Sequence, residues 1–77
     1  MTKRRFKVLL EWDRQAELWV TYVPALDHLS TFGATREEAL ANTREAIAGY
    51  IEAAKKDGLL IPLDDETEMV DVEVAVA

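Results

Sequence analysis

The chain contains no cysteine, which excludes disulfide bonds and thiolate metal sites. Its one histidine cannot build a zinc site alone. The three glycines, Gly33, Gly49 and Gly58, are isolated from one another, so no glycine-rich phosphate-binding loop is present. No run of apolar residues approaches the roughly 18–20 needed to cross a membrane. We therefore predict no catalytic residues, no metal site and no cofactor, and we expect a cytoplasmic protein.

The length of 77 residues allows a single domain covering residues 1–77. A chain this short buries only about 60% of the surface that its unfolded form exposes, so its stability alone is marginal. Because neither a disulfide nor a metal supports the fold, we expect a homodimer or a higher homo-oligomer. The net charge of −6 argues against nucleic acid as the main partner.

The charges are unevenly distributed along the chain. Four cations stand near the N-terminus, with no apolar stretch of signal-peptide length behind them: Lys3, Arg4, Arg5 and Lys7. From residue 57 onward every charged residue is an acid: Asp57, Asp64, Asp65, Glu66, Glu68, Asp71 and Glu73. The acidic flank suits a basic partner, although such a run is more often a solvated surface. Alternatively, the basic arm binds nucleic acid with an affinity that falls steeply with salt.

Residues 35–56 form the longest periodic segment and predict an α-helix. Thr35 is the predicted N-cap, and Glu38 completes a capping box by reaching back to the Thr35 N–H. Gly58 lies just past the predicted helix, at the position where a glycine with a left-handed backbone commonly ends a helix. The face predicted to be buried contains Leu40, Ile47, Tyr50, Ile51 and Ala54, with Ala39, Thr43 and Ala46 between them. The water-facing residues are predicted to be Arg36, Glu37, Asn42, Glu45, Glu52 and Lys55.

The rest of the chain is typical of strands and turns. Alternating apolar residues predict strands at residues 6–12 and 17–23, joined by a short hairpin loop. A short strand at 29–32 precedes the helix, and a valine-rich fourth strand at 68–76 follows it. If this valine-rich strand were left as an unpaired edge of the sheet, it would promote association with other chains. We therefore predict that the fourth strand pairs within the sheet or across a dimer. The order β-β-β-α-β predicts an α+β two-layer sandwich, with one helix on a mainly antiparallel sheet.

Two groups of polar residues are weak candidates for chemistry. Asp27 beside His28 would orient an imidazole, but a lone loop histidine is more often structural than catalytic. Glu11, Asp13 and Glu17 flank the first hairpin, where acids are usually solvated. A divalent metal held there would make the chain a degenerate nuclease.

The two tryptophans lie on opposite arms of the first hairpin and are expected to stack across it. Trp12 is predicted to fill the core against the helix. Trp19 either joins it there or lies with Thr21 and Val23 on the sheet face away from the helix. An exposed tryptophan on that face would mark a contact surface, because tryptophan is enriched at the centres of interfaces.

A family resemblance rests on the middle of the chain. A strand ends at Val23-Pro24, a loop and a strand follow, and residues 33–39 read G-x-T-x-E-E-A. The helix then continues through Asn42, Ala46-Ile47 and Tyr50 and is followed by Gly58 and Ile61-Pro62. From about residue 6 to 63 the chain resembles the small HicB-like (UPF0150-type) domain, the antitoxin half of a bacterial toxin–antitoxin pair. It differs in the loop, where Asp27-His28-Leu29 replaces the usual tight glycine turn.

The resemblance implies a partial ribonuclease-H-like fold without that fold's catalytic acids, and therefore a non-enzymatic protein. HicB-like members typically neutralise a small basic mRNA-cleaving HicA toxin by covering its active surface, and they usually form dimers or higher assemblies. Many members also carry a C-terminal DNA-binding module, for which residues 1–77 leave no room. The alternative role is that of an orphan oligomeric domain.

The candidate partner contacts are chosen by expected exposure and not by a family motif. They are Asp27, His28 and Leu29 in the loop, Trp19 on the outer sheet face, and Asp71 and Glu73 on the last strand. For the nucleic-acid alternative the candidates are Lys3, Arg4, Arg5 and Lys7. The expected partners are a HicA-like toxin and further copies of this chain, without a membrane.

Overall fold

The computed structural model describes residues 4–62, 64 and 67–77, and it has the predicted two-layer α+β arrangement. Its elements are β1 (Leu9–Asp13), β2 (Leu18–Val23), a 3-10 turn (Pro24–Leu26), β3 (Leu29–Gly33) and α1 (Arg36–Lys56). The strands form an antiparallel sheet in the order β1-β2-β3, and α1 packs on one face of it. No helix in these described ranges has both the length and the apolar character needed to cross a membrane.

The first hairpin is built around Asp13, which closes β1. Its Oδ1 accepts hydrogen bonds from the N–H groups of Gln15 (3.0 Å) and Ala16 (3.1 Å), so the side chain holds the turn. Glu17 has a left-handed backbone (φ 55°), which places it in the turn, so β2 begins one residue later than predicted. β1 also begins later, at Leu9. Leu9 lies opposite Tyr22, and two residues beyond Tyr22 the ladder ends at Pro24, which has no N–H to donate.

The helix α1 has the predicted boundaries and caps. The Glu38 N–H donates to Thr35 Oγ1 at 3.0 Å, and Glu38 Oε1 accepts from the Ala34 N–H at 3.1 Å. The reach-back of Glu38 is thus to the residue before Thr35, one position from the expected one. At the other end Gly58 is left-handed (φ 70°), and the Leu59 N–H donates to the Ala54 carbonyl at 2.8 Å. This bond satisfies one of the last carbonyls of the helix, and Gly58 is left-handed as predicted.

The fully enclosed core is small for a 77-residue chain. Its members are Val23, Leu26, Ala39 and Ala54, together with the polar Thr21 and Thr43. Leu26 is buried although it lies in the segment predicted as a loop. On α1 the other apolar residues of the predicted face are only half-buried: Leu40, Ala46, Ile47, Tyr50 and Ile51. Asn42, which was predicted to face water, is half-buried, and its Nδ2 donates to the Phe32 carbonyl at 2.8 Å.

Residues 68–77, which we call the C-terminal arm, correct the predicted fourth strand. Every residue of the arm is exposed and none belongs to a strand. Its valines are exposed by 66% (Val70), 78% (Val72), 70% (Val74) and 87% (Val76). A strand requires a neighbouring backbone to bond with, and none lies beside the arm in the described part of the chain. Pairing within the sheet is therefore wrong, and pairing across a dimer stays a prediction. The predicted turn at 64–67 lies partly outside the described residues.

Candidate functional site

The face of the sheet that packs on α1 is identified by its contacts with the helix. Thr21 of β2 forms a hydroxyl–hydroxyl hydrogen bond of 2.5 Å with Thr43 of α1. Residues directly opposite in a ladder share a face, so the register places Leu10 and Thr31 with Thr21 on the covered face. Val20, one residue before Thr21, faces the other way. We call this second side the outer face.

The outer face carries a cluster of apolar side chains that the helix does not cover. Phe32, on edge strand β3, is 58% exposed and lies opposite Val20 in the ladder. The half-buried apolar residues around it are Leu9, Leu18, Val20 and Tyr22. Acids stand on the β1 side of the same face, since Glu11 lies opposite Val20 and Asp13 opposite Leu18. A cavity of about 290 Å³ beside these acids is lined by Glu11, Trp12, Asp13, Arg14, Val20 and Tyr22.

Trp19 does not lie on the outer face, which corrects one expected partner contact. It is opposite Gly33 in the ladder, and Gly33 faces the backbone of Ala39 in α1. Trp19 therefore shares the covered face with Thr21 and Val23 and is half-buried. Its ring lies against that of Trp12 across the hairpin, as predicted, but the rings are tilted and not stacked, with a centroid separation of 5.4 Å and an interplanar angle of 59°. Trp12 remains 46% exposed, so it fills the core only in part.

The loop candidates stand together at the end of the sheet opposite the hairpin. Asp27 and His28 are exposed and both have left-handed backbones, with φ of 55° and 57°. The Tyr50 hydroxyl of α1 donates to Asp27 Oδ2 at 3.4 Å, a long bond that ties the loop to the helix. Leu29 is half-buried at the start of β3. Asp27 and His28 are therefore accessible to a partner, whereas Leu29 is only partly accessible.

The remaining candidates are scattered along the molecule. Asp71 and Glu73 are exposed on the C-terminal arm, not on a strand. In the basic arm, Lys3 lies outside the described residues, and Lys7 is bound to Asp64, with Nζ 3.2 Å from Oδ2. Arg4 and Arg5 are exposed. Among the described residues no three of His, Cys, Asp or Glu converge as a metal site.

Sequence reasoning missed Phe32, Val20 and Tyr22 as candidate contacts. The available signal was that both faces of β2 are apolar, a pattern typical of a central strand or of one covered by a partner. β2 is indeed the central strand, but only one of its faces is covered by α1.

One comparison with known proteins gives a clear relative. The chain is 40% identical over 65 residues to the UPF0150 protein Ta0767 of Thermoplasma acidophilum. The matched region covers 84% of this chain and 93% of that protein. No protein-family model matches the chain. No solved structure matches it.

Proposed function

The chain belongs to the UPF0150 family, which includes the small HicB-like domains, and we propose that it is a non-enzymatic, antitoxin-like binding module of the cytoplasm. Its partner is a small basic mRNA-cleaving toxin of the HicA type. The chain neutralises this toxin by covering its active surface. The observation that carries the proposal is the uncovered apolar cluster on the outer face, with Phe32 at its most exposed point.

The composition of the outer face supports a protein partner. Tyr22 and Phe32 are aromatic, and buried aromatic anchors supply a large share of the binding energy in protein interfaces. The neighbouring carboxylates of Glu11 and Asp13 are exposed, as are the rims of most interfaces. Inhibition by occlusion requires affinity and steric fit alone, so it needs no catalytic group in the chain.

The net charge supports a basic partner in particular. A protein of net charge −6 attracts a cationic protein over a Debye length of about 8 Å at physiological salt and raises its association rate. The acids Glu11 and Asp13 place part of that charge beside the apolar cluster. A toxin that binds mRNA needs a cationic surface, which is the surface that an antitoxin must cover.

The test uses capture followed by a cleavage assay. Tagged chain is used to recover partners from its own cytoplasm, and each small basic protein recovered is purified and mixed with labelled RNA. We expect one of them to cleave RNA and to be inhibited completely at a stoichiometric amount of the chain. The variant Phe32→Glu should weaken inhibition at least tenfold, which corresponds to about 1.4 kcal/mol of binding free energy.

The matched control is Ala53→Glu, which adds the same charge at an exposed position of α1. It should inhibit as well as the unmodified chain. Capture of no RNA-cleaving protein would contradict the antitoxin role and favour an orphan oligomeric domain. Full inhibition by Phe32→Glu would show that the toxin binds elsewhere on the chain.

A further inference from the structure

A second apolar region lies away from the outer face, between α1 and the segment that leads into β1. This groove has a volume of about 640 Å³. Its apolar lining includes Phe6 and Val8 from the segment and Leu40, Ile47 and Ile51 from α1. The groove exists because α1 packs mainly against β3 and β2 and leaves the β1 side of its apolar face uncovered. Leu40, Ile47 and Ile51, which were predicted to be buried, are therefore only half-buried in the single chain.

The described lining of the groove also contains four cations and no acid. Arg4 and Arg5 line it from the N-terminal segment, and Arg44 and Lys55 line it from α1. An occupant of this groove should therefore be apolar on one side and acidic on the other. It should also be extended, because residues 4–8 belong to no strand, although the Lys7 N–H is already bonded to Asp64.

The C-terminal arm has these properties. Val70, Val72, Val74 and Val76 alternate with Asp71, Glu73 and Ala75, so an extended arm has one valine face and one face with acids. The lengths agree as well. Seven residues of strand, 70–76, span about 20 Å at ~3.3 Å per residue, and the helical wall from residue 40 to 55 rises about 22 Å at ~1.5 Å per residue.

The arm does not fold back onto its own groove. Asp64 lies beside the N-terminal segment, where its carboxylate accepts from the Lys7 N–H at 2.8 Å, and every residue of the arm is exposed to solvent. The radius of gyration is 14.8 Å, whereas a compact chain of this length has about 11–12 Å. The longest dimension is 51 Å against 28 Å and 20 Å for the others. An extended arm that projects from one molecule is geometrically suited to bind a second molecule.

We propose that the C-terminal arm of a second copy of this chain occupies the groove. The arm adds as a strand beside residues 4–8 and lays its valines on Leu40, Ile47 and Ile51. The exchange is reciprocal, since each copy has one arm and one groove, and this gives a closed two-fold dimer. The dimer completes a core that is small in the single chain and removes the exposed valine edge. It leaves the outer face free, so it does not depend on the proposed function.

The first test is the mass of the protein in solution by sedimentation at micromolar concentration. The chain of 8.7 kDa should sediment at twice that mass. A chain ending at Thr67 should be a monomer. Because a truncated chain can fail to fold, the double variant Val72→Asp, Val74→Asp provides a second measurement at side chains that touch little in the single copy. It should raise the dimer dissociation constant at least a hundredfold, and Ala53→Asp should leave it unchanged.

The second test establishes which chain supplies the arm, and it exploits the absence of cysteine. Single variants Val72→Cys and Ile47→Cys are unfolded together, refolded and treated with a short bis-maleimide. We expect a cross-linked pair of twice the chain mass. Val72→Cys mixed with Ala53→Cys should give at most a tenth as much, because Ala53 lies outside the groove.

Three results would overturn the proposal. They are a monomeric unmodified chain, a dimer that survives the double aspartate variant, and cross-linking within one chain when both cysteines are placed in the same molecule and it is refolded with an excess of unmodified chain at a dimer-forming concentration. The last result would place the arm in its own groove.

Discussion

Thr21 of β2 and Thr43 of α1 share a buried hydrogen bond between their side-chain hydroxyls, with 2.5 Å between the oxygens. Thr43 Oγ1 donates to the Ala39 carbonyl at 2.7 Å. The Thr43 proton has the Ala39 carbonyl at 2.7 Å, whereas the Thr21 proton has only the Thr31 carbonyl at 3.4 Å as an alternative, so the geometry favours Thr21 as the donor to Thr43. The two layers of the molecule are therefore joined by a directed chain of hydroxyl groups, Thr21 to Thr43 to Ala39, inside the small core.

Replacement of Thr43 by valine should cost more stability than replacement of Thr21. Thr43→Val removes the acceptor of the Thr21 proton and leaves that hydroxyl only the Thr31 carbonyl at 3.4 Å, so we expect a loss of about 1–2 kcal/mol. Thr21→Val leaves the Thr43 donor paired to Ala39 and should cost less. The double variant should cost less than the sum of the two. Urea unfolding at one fixed protein concentration measures all three, and equal losses would contradict the assigned direction.

Gly33 allows the closest approach between sheet and helix. A Cβ atom built there would overlap the backbone of Glu38 and Ala39, neither of which can move aside as a side chain would. Gly33→Ala should therefore lower the free energy of unfolding by about 1–3 kcal/mol. Gly49→Ala is the matched control, because nothing lies within 4 Å of the added atom. In mid-helix it should raise the stability by about 0.5–1 kcal/mol. A neutral Gly33→Ala would refute the close approach.

The start of α1 depends on the hydroxyl of Thr35. Thr35→Ala should lose about 1 kcal/mol, because the Glu38 N–H would lose its acceptor in the first turn. Thr35→Ser keeps the oxygen and should retain nearly all of the stability. Thermal unfolding followed by circular dichroism distinguishes the two variants. A serine variant as unstable as the alanine variant would show that the threonine methyl group, and not the cap, matters.

The tryptophan pair should show measurable coupling. Trp12 and Trp19 are directly opposite in the ladder with tilted rings, a geometry worth about 0.5–1.5 kcal/mol beyond burial. A double-mutant cycle with Trp12→Ala and Trp19→Ala should return a coupling energy in that range. Of the single variants, Trp19→Ala should cost more, because Trp12 is 46% exposed and Trp19 lies further inside. Strictly additive losses would mean that the two rings do not interact.

The local elements were predictable where neighbouring residues supply their partners. The ends of α1 are set by Thr35 and Gly58, and the cap bonds form within a few residues of each. The three antiparallel strands follow from alternation, with errors of one to three residues at their ends. Those errors arose where a ladder partner ended, at Pro24, or where a turn residue such as Glu17 took a left-handed backbone.

The amino-acid sequence by itself determined the helix with its caps, the three strands and their antiparallel order, because each depends on contacts that are close along the chain. The tertiary structure decided which face of the sheet the helix covers, since the alternation in β2 is apolar on both sides and favours neither. It therefore placed Trp19 inside and Phe32 outside. It also decided that the valines of residues 68–77 stay exposed. A strand forms only against another backbone, and in the described part of one chain none lies beside the arm.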